Sequence, residues 1–380
     1  MKQLDNFFNA DSNKPITIKP DYIILSDNIS LDFSKKLSEI TPKDPKKIIV
    51  VNSYDVPSGD FTSSEIQKRL IRFAKEWKTH FEQADGVMYY TILNKYAKQG
   101  TIFVSPGKHN SVFSVKDCLG FNFSEKQLET VLENDELTIM KPNYIGIQLV
   151  GQLPSDVMVK DLEIRLNTEL KNKVNGEIIY INGEGFNSLT SLQQRDLIQS
   201  LGSLPTLTVF KKDVPNDFTF DLSETVRMVA LPENISNGIP LKEIDKQPIN
   251  SCLIGGATGS SIEDLRLAAK MLKGKKVPIT MRLTVSPETS KVYDQAMEEG
   301  LVSIFIDANV QIIAPGYGSI SRPSKAVVGD GETQIVTNYW NYMGYNGSKQ
   351  SRTLIASTQT AIECALKQEI GTKLSVVEEV

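Results

Sequence analysis

The chain has 380 residues, of which 40% are hydrophobic and 23% are charged, an ordinary globular composition with room for about two or three domains. Its formal net charge of -4 argues against a nucleic-acid-binding surface, and no apolar run approaches the ~18 to 20 residues of a membrane span. The three cysteines, Cys118, Cys252 and Cys364, are scattered and are interpreted as buried small hydrophobic residues in a reducing compartment. We therefore expect a cytoplasmic protein.

The first part of the chain alternates short apolar runs with amphipathic segments. Strands are predicted at 21–25, 47–51 and 101–104, and the segment 63–79 has a helical pattern. Alternation of this kind is typical of a parallel or mixed sheet covered by helices. We predict an α/β fold with a first domain at 1–140.

The middle of the chain continues the same alternation. A strand is predicted at 144–150, a helix at 159–170 and a strand at 177–181. We predict a second domain at 141–233 and a third at 234–380.

The third predicted domain opens with two successive βαβ units. Apolar residues of its first helix recur at a 3.6-residue period until Gly274 ends the helix. The predicted elements are a strand at 252–254, a helix at 262–272, a strand at 277–285, a helix at 287–299 and a strand at 301–306.

A glycine-rich turn at 255–261 joins the first of these strands to its helix. Ser260 stands three residues before Glu263, a spacing that predicts a capping box at the helix start. Unpaired backbone N–H groups and the positive end of the helix dipole suit a carboxylate or a phosphate. The alternative is a plain strand-to-helix turn. The candidate anion-binding residues are Thr258, Gly259, Ser260 and Ser261.

Several motifs of the chain resemble the aconitase superfamily, and within it the large subunit of 3-isopropylmalate dehydratase. They are Ile-Gly-Gly-Ala-Thr-Gly-Ser-Ser-Ile-Glu-Asp-Leu-Arg at 254–266, Pro-Gly-Tyr-Gly at 315–318, and Gly-Glu at 331–332 ahead of Thr-Asn-Tyr-Trp-Asn-Tyr at 337–342. The resemblance implies three α/β/α domains around a central cleft. In the family a further swivelling domain is either fused to such a chain or supplied as a separate small subunit, and we expect that domain to be absent from this chain.

Members of the family that this chain resembles hold a four-iron, four-sulfur cluster. We expect this chain to lack the cluster. The family has its three cluster cysteines where Ala257, Tyr317 and Ile320 stand here. Two histidines and no metal-spaced cluster of cysteines or carboxylates also argue against another metal site. We expect no metal and no cofactor.

The family's catalytic residues are replaced as well. By resemblance, Ser53 and Tyr54 stand at the family's Asp-His pair, Tyr89 at a histidine and Tyr180 at a substrate-site glutamate. The loop 106–111 takes the place of the family's Asp-Ser-His-Thr motif and contains Lys108 and His109.

We expect His109 to be the catalytic base if the protein is an enzyme, because an ordinary histidine titrates near neutrality. Lys108 is then the natural partner of a substrate carboxylate, and Tyr89 and Tyr180 are candidate proton donors. The alternative is that His109 is a solvated loop residue without a catalytic role.

Aromatic residues gather at positions that line the cleft in the family. They fill a vacated polar cleft for structural reasons, or they form a pocket for an apolar or aromatic ligand, and the sequence does not decide between the two. These residues are Tyr54, Tyr89, Tyr180, Tyr317 and Trp340.

The leading functional hypothesis is a repurposed, cofactor-independent enzyme with a lyase- or isomerase-family fold. It would act on a small molecule that bears a carboxylate, in a specialised biosynthetic pathway. The alternative is a non-catalytic pseudoenzyme that binds a ligand or stabilises a partner. The expected partners are a small carboxylate or aromatic ligand and a swivel-domain small subunit, with no nucleic acid and no membrane.

Overall fold

The computed structural model describes residues 2–83, 85–318 and 325–372. The chain forms two compact units, and each unit takes up two separate segments of the sequence. The first unit comprises Met1–Gly151 and Asn172–Asp221, and the second comprises Gln152–Lys171 and Leu222–Val380. The three-domain division at 140/141 and 233/234 stays a prediction. None of the helices in the described ranges combines the length and apolarity needed to cross a bilayer.

The first 151 residues alternate strands and helices as the sequence predicts. The predicted strands at 21–25, 47–51 and 101–104 correspond to β2, β3 and β5, and the helical pattern at 63–79 to α3. In chain order the elements are α1 (Lys2–Asn9), β1 (Pro15–Ile18), β2 (Tyr22–Ser26), α2 (Leu31–Lys36), β3 (Ile48–Asn52), α3 (Phe61–Trp77), β4 (His80–Gln83), α4 (Met88–Lys95), β5 (Ile102–Ser105), β6 (Leu119–Asn122), α5 (Glu125–Asn134), β7 (Leu137–Met140) and β8 (Tyr144–Val150).

The next segment carries α6, which belongs to the second unit, and then returns to the first unit. The predicted strand at 144–150 and helix at 159–170 are confirmed, and the strand predicted at 177–181 begins one residue later. The elements are α6 (Val159–Leu170), β9 (Ile178–Asn182), α7 (Glu184–Ser188), α8 (Ser191–Leu201), β10 (Val209–Lys211) and β11 (Phe218–Asp221).

Two parallel sheets form the framework of the first unit. One has five strands in the order β4-β3-β2-β5-β6, and the other has four in the order β10-β9-β8-β11. In the five-stranded sheet the chain moves outward from β2 to β4 and returns at β5, so the order reverses between β2 and β5. In open α/β sheets, ligands bind at the carboxyl ends of the strands at such a reversal.

The second unit continues with further strands and helices. Its elements after α6 are β12 (Met228–Ala230), β13 (Gly238–Pro240), β14 (Gln247–Pro248), β15 (Ser251–Gly255), α9 (Ile262–Leu272), β16 (Arg282–Ser286), α10 (Ser290–Glu298), α11 (Leu301–Asp307), β17 (Gln311–Ile312), β18 (Thr333–Val336), β19 (Arg352–Ala356), α12 (Thr358–Lys367) and β20 (Glu369–Ile370). Seven of these strands form a mixed sheet in the order β13-β12-β19-β18-β15-β16-β17. The five strands from β19 to β17 are parallel, and β12 is antiparallel to both of its neighbours.

The two predicted βαβ units are present, but the strand predicted at 301–306 is wrong. That segment forms α11, and the third strand is β17. Leu301 and Phe305 are buried while Ile306 is 63% exposed, which is the 3.6-residue period of a helix. A short apolar run does not distinguish a strand from a helix by its pattern alone.

Candidate functional site

The 255–261 turn lies where β15 ends and α9 begins. Gly255 and Gly259 have φ values of 109° and 76°, in the region that favours glycine. A Cβ atom added to Gly255 would lie 2.1 Å from the carbonyl oxygen of Ser286, and one added to Gly259 would lie 2.4 Å from Thr337 Oγ1. The turn therefore packs against the last residue of β16 and the residue that follows β18.

The predicted capping box is displaced by one residue. The N-cap of α9 is Ser261, whose hydroxyl accepts a hydrogen bond from the N–H of Asp264, and the Asp264 carboxylate accepts the N–H of Ser261 at 3.1 Å. Ser260 therefore takes no part in the cap. Its hydroxyl is completely buried and makes no hydrogen bond within the described part of the chain. A buried hydroxyl without a partner costs free energy, so this group is an unsatisfied hydrogen-bonding group beside the turn.

Several backbone N–H groups of the turn also lack hydrogen-bond partners among the described residues. Gly255 donates to Thr337 Oγ1 at 2.8 Å and Ser261 donates to Asp264. Among residues 2–83, 85–318 and 325–372, no hydrogen bond is donated by the backbone N–H groups of Gly256, Thr258, Gly259 or Ser260. Because the Asp264 carboxylate occupies the first turn of α9, the site open to an anion is confined to the N–H groups that precede Ser261.

The hydroxyl group of Thr258 makes two hydrogen bonds. Its hydroxyl accepts a hydrogen bond from Lys160 Nζ at 2.9 Å and donates one to the carbonyl oxygen of Thr337 at 3.3 Å. Thr258 can therefore offer a ligand its backbone N–H but not its hydroxyl proton. The same contacts hold the turn to helix α6 and to the residue after β18.

Tyr317 and Trp340 lie at the same edge of the seven-stranded sheet as the turn. Tyr317 is 1% exposed, and its ring centroid is 6.0 Å from that of Trp340. The Ser286 hydroxyl, at the end of β16, donates to the carbonyl oxygen of Gly316 at 3.2 Å, which places Tyr317 beside the strand that packs on Gly255. The structure thus brings the 255–261 turn and the two predicted aromatic residues to one sheet edge. Their roles in binding stay a prediction.

The residues present here do not fit an iron–sulfur cluster. Ala257 and Tyr317 supply no thiolate, and Ile320 lies outside the described residues. In the second unit, burial raises the pKa of Cys252 well above its usual range and that of Cys364 to about 12. Both residues are core residues, and neither stands at a position where the family carries a cluster cysteine. Within the described ranges, no three His, Cys, Asp or Glu residues are grouped so that they could hold a metal ion.

The first unit gathers a different set of predicted residues at the carboxyl edge of its five-stranded sheet. His109, in the loop after β5, is 3% exposed, and its ring lies 6.1 Å from that of Tyr89 at an interplanar angle of 86°. Its Nδ1 is 3.1 Å from the carbonyl oxygen of Gln199. A carbonyl oxygen only accepts hydrogen bonds, so Nδ1 carries the proton and Nε2 carries the lone pair.

The expectation that His109 titrates near neutrality is wrong. Burial lowers the pKa of His109 to about 3; the charge of Lys108 acts in the same direction, and the hydrogen bond to Gln199 acts against it. Lys108 itself is exposed. At neutral pH His109 is therefore uncharged, and its Nε2 is a weak base.

Tyr89 and Tyr54 lie with His109. Burial raises the pKa of Tyr89 to about 12, and hydrogen bonds with the side chain of Tyr54 and the backbone of His109 oppose this rise. A Cβ atom at Gly107 would lie 2.1 Å from the Tyr89 hydroxyl oxygen, so the loop passes directly over this hydroxyl. Asp27 fixes the backbone of Tyr54, because the Asp27 carboxylate accepts a hydrogen bond from the backbone N–H of Tyr54 at 3.0 Å.

Tyr180, on β9, is placed elsewhere in the first unit. It belongs to the hydrophobic core, and its ring centroid lies 6.0 Å from that of Phe8 and 5.2 Å from that of Tyr144. Burial raises the pKa of Tyr180 to about 12. The structure does not gather Tyr180 with His109.

Sequence reasoning overlooked four residues that shape these sites: Asp27, Gln199, Lys160 and Glu163. Asp27 directly follows β2, and a polar residue at the end of a parallel strand is a recognisable signal. Lys160 and Glu163 have the i, i+3 spacing of a common surface ion pair, so nothing in the sequence indicates that both are buried.

Comparison with known proteins shows which proteins this chain is similar to. Residues 200–368 match the aconitase family, described as aconitate hydratase. The chain is 25% identical over 346 residues to 3-isopropylmalate dehydratase large subunit 2 of Archaeoglobus fulgidus, a match that covers 83% of each protein. It is 23% identical over 399 residues to the methanogen homoaconitase large subunit of Methanocaldococcus jannaschii, which covers 94% of this chain and 95% of the relative.

A solved structure supports the same assignment at the level of the fold. The holo-form of Thermococcus kodakaraensis aconitase X matches with a TM-score of 0.53 and 11% identity, over 85% of this chain and 83% of that one. The chain is therefore an α/β protein with an aconitase-like fold, and its sequence is similar to that of aconitase-superfamily proteins. Within the superfamily it resembles the large subunit of 3-isopropylmalate dehydratase.

Proposed function

We propose that this protein is an aconitase-superfamily member without an iron–sulfur cluster, which binds a small molecule through its carboxylate at the 255–261 turn. The observation that carries the proposal is the buried Ser260 hydroxyl, which has no partner in the described residues and stands beside backbone N–H groups that are also unpaired. Leaving these donors unpaired costs free energy, whereas a bound carboxylate would accept hydrogen bonds from several of them.

Loss of the cluster is supported by the chemistry of the donor set. The positions that carry cysteines in the family hold Ala257 and Tyr317, and the buried Cys252 and Cys364 stand at other positions of the chain. Cys252 is also directed away from the turn, because its Sγ donates to the carbonyl oxygen of Ala361 at 3.5 Å. Dehydration by a cluster-bound Lewis acid is therefore not part of the proposed function.

The pKa shifts of the buried groups favour ligand binding without turnover. Proton transfer is most effective when the pKa of the acid or base lies near the working pH. His109, with a pKa lowered to about 3, and Tyr89, with a pKa raised to about 12, both lie several units from neutrality. Neither group is tuned to exchange a proton at neutral pH. This supports a pseudoenzyme that binds a ligand or stabilises a partner.

A cofactor-independent enzyme of a specialised biosynthetic pathway is the second candidate. It is favoured by the cluster of Tyr54, Tyr89 and His109 at the carboxyl edge of a parallel sheet, where α/β enzymes place their reacting groups. In that function the unprotonated Nε2 of His109 would accept a proton from the substrate. Lys108 is exposed on the same loop and would attract the substrate carboxylate.

The partners follow from the same features. Tyr317 and Trp340 supply an aromatic surface next to the turn, which suits a carboxylate with an apolar or aromatic body. The relatives compared above are named as large subunits. By analogy we include in the proposal a separate small subunit for this chain.

The test of the proposed function is a calorimetric titration of the purified protein with citrate at constant ionic strength, with sodium chloride as the control anion. We expect saturable citrate binding that chloride does not compete away. The proposal would be overturned if the heat changes did not exceed the heat of dilution at any citrate concentration at which the protein stays in solution.

A further inference from the structure

A buried ion pair lies against the 255–261 turn. Lys160 Nζ is 2.5 Å from Glu163 Oε2, and the two side chains are 6% and 0% exposed. Both residues belong to helix α6, in the second unit. The same Nζ donates to Thr258 Oγ1 at 2.9 Å, so a positive charge stands one hydroxyl group away from the turn.

We infer that this ion pair sets the charge preference of the turn, with Lys160 as a positioning residue that holds Thr258 and Glu163 as the group that limits its positive field. The inference rests on the proposed function, because it concerns the same anion site. It names the ligand class more narrowly as a singly charged carboxylate group rather than a doubly charged sulfate or phosphate.

The electrostatic argument follows from the net charge of the pair. A lone buried lysine beside the turn would attract an anion in proportion to the charge of the anion, so a dianion would gain about twice the interaction energy of a monoanion. Glu163 cancels most of this attraction, since its carboxylate is in contact with the ammonium group. The backbone N–H groups, which carry only partial charges, then dominate binding.

The Thr258 contacts add a geometric role. Its hydroxyl is fixed between Lys160 Nζ and the carbonyl oxygen of Thr337. Residues 258–260 carry three of the four unpaired N–H groups, so this fixation holds these groups in place before a ligand arrives. Preorganised donors bind more tightly than donors that must first be ordered.

The experiment compares the affinities of acetate and sulfate for the wild type and for Glu163→Gln, at constant ionic strength. Glutamine keeps the shape and an acceptor oxygen for Lys160 but removes the negative charge. We expect sulfate to bind roughly 10-fold more tightly to the variant and acetate about 3-fold more tightly. Acetate has half the charge of sulfate and gains half the interaction energy, so its affinity ratio is about the square root of the ratio for sulfate. Glu299→Gln, which removes an acidic partner from the exposed Arg266 of helix α9, is the matched control and should change neither affinity.

A second variant tests the positioning role without leaving a buried charge. In Lys160→Met/Glu163→Gln, we expect both anions to bind about 3-fold more weakly because Thr258 is no longer held, with the wild-type ratio of affinities preserved. A sulfate-to-acetate ratio in Glu163→Gln within about twofold of the wild-type ratio would overturn the inference. If Glu163→Gln does not fold, wild-type affinities in the double variant would overturn it. Absence of binding to the wild type itself would instead overturn the proposed function.

Discussion

The imidazole of His109 donates a hydrogen bond from Nδ1 to the carbonyl oxygen of Gln199, at 3.1 Å. The side chain of Gln199 is held in turn by Tyr90, whose hydroxyl donates to Gln199 Oε1 at 2.7 Å. Because helix α8 is fixed in this way, one tautomer of His109 is selected, with the proton on Nδ1. His109 is therefore a buried, neutral acceptor.

Burial of His109 predicts a pH-dependent stability. An unfolded histidine binds a proton near pH 6.5, whereas burial lowers the pKa of the folded side chain to about 3. Between these values the unfolded state binds more protons, so falling pH should destabilise the fold by up to ~1.4 kcal/mol per pH unit. The raised pKa values of Asp27 and Asp161, the latter about 6, act in the opposite direction.

The measurement is urea unfolding of the wild type and of His109→Asn between pH 7 and pH 4, which cancels the contribution of the two carboxyl groups. We expect the variant to lose less stability than the wild type as the pH falls. The control His80→Asn alters an exposed histidine and should follow the wild-type curve. Parallel curves for the wild type and His109→Asn would show that His109 is not buried in its neutral form.

The two candidate functions predict different effects of substitutions in the loop after β5. In a cofactor-independent enzyme, His109→Ala should lower the chemical rate by roughly 100-fold or more with ligand affinity nearly unchanged, and Lys108→Ala should mainly weaken binding. In a binding protein neither substitution changes any rate. Turnover of the physiological ligand by wild type and His109→Ala decides the question. Equal turnover removes His109 from the mechanism, and tight binding without turnover supports the pseudoenzyme.

The donor set predicts a protein without iron. Purified under exclusion of oxygen, it should be colourless and contain no stoichiometric iron or sulfide, because Ala257 and Tyr317 replace two of the thiolate ligands. Metal analysis and an absorption spectrum test this directly. A broad band near ~400 nm with about four irons per chain, lost in Cys252→Ser, would contradict the ligand assignment.

The aromatic residues predict a preference for carboxylates with an apolar body. Trp340→Ala should weaken binding of phenylacetate about 10-fold, by removal of an aromatic contact worth on the order of 1 kcal/mol or more, and leave acetate affinity nearly unchanged. Tyr317→Phe keeps the ring and should bind both acids like the wild type. Trp77→Ala, in helix α3 of the first unit, controls for the loss of a tryptophan. An equal loss for acetate and phenylacetate in Trp340→Ala would mean that Trp340 supports the fold of the site and does not contact the ligand.

The elements that the sequence predicts well are those with a clear period or a strong punctuation signal. Residues 144–150 and 159–170 form β8 and α6 with the predicted bounds, and the glycine-rich turn at 255–261 lies between a strand and a helix as expected. The segment 301–306 could not be assigned, because a six-residue apolar run fits a strand and a helix equally. Two adjacent serines before α9 likewise left the choice of N-cap open by one residue.

The properties of the candidate sites depend on tertiary burial, which the sequence does not encode locally. The sequence locates His109 on a loop after a strand, but its lowered pKa results from the packing of that loop against helix α8. Lys160 and Glu163 have the spacing of a surface pair, but both are buried in the second unit, where α6 packs against β12 and β13. Motif resemblance identified the turn, and the structure added the unpaired hydroxyl of Ser260.

A crystal structure of the protein with citrate, refined alongside calorimetry of Ser260→Ala and Ser261→Ala, tests the central claim most directly. We expect a citrate carboxylate within about 3.2 Å of the Ser260 hydroxyl and of the N–H groups before Ser261. Ser260→Ala should weaken citrate binding roughly 10-fold with little change in stability, whereas Ser261→Ala should cost about 1 kcal/mol of stability through the lost cap. A structure at saturating citrate in which the N–H groups of the turn face packed side chains, with citrate bound elsewhere or not at all, would contradict the account.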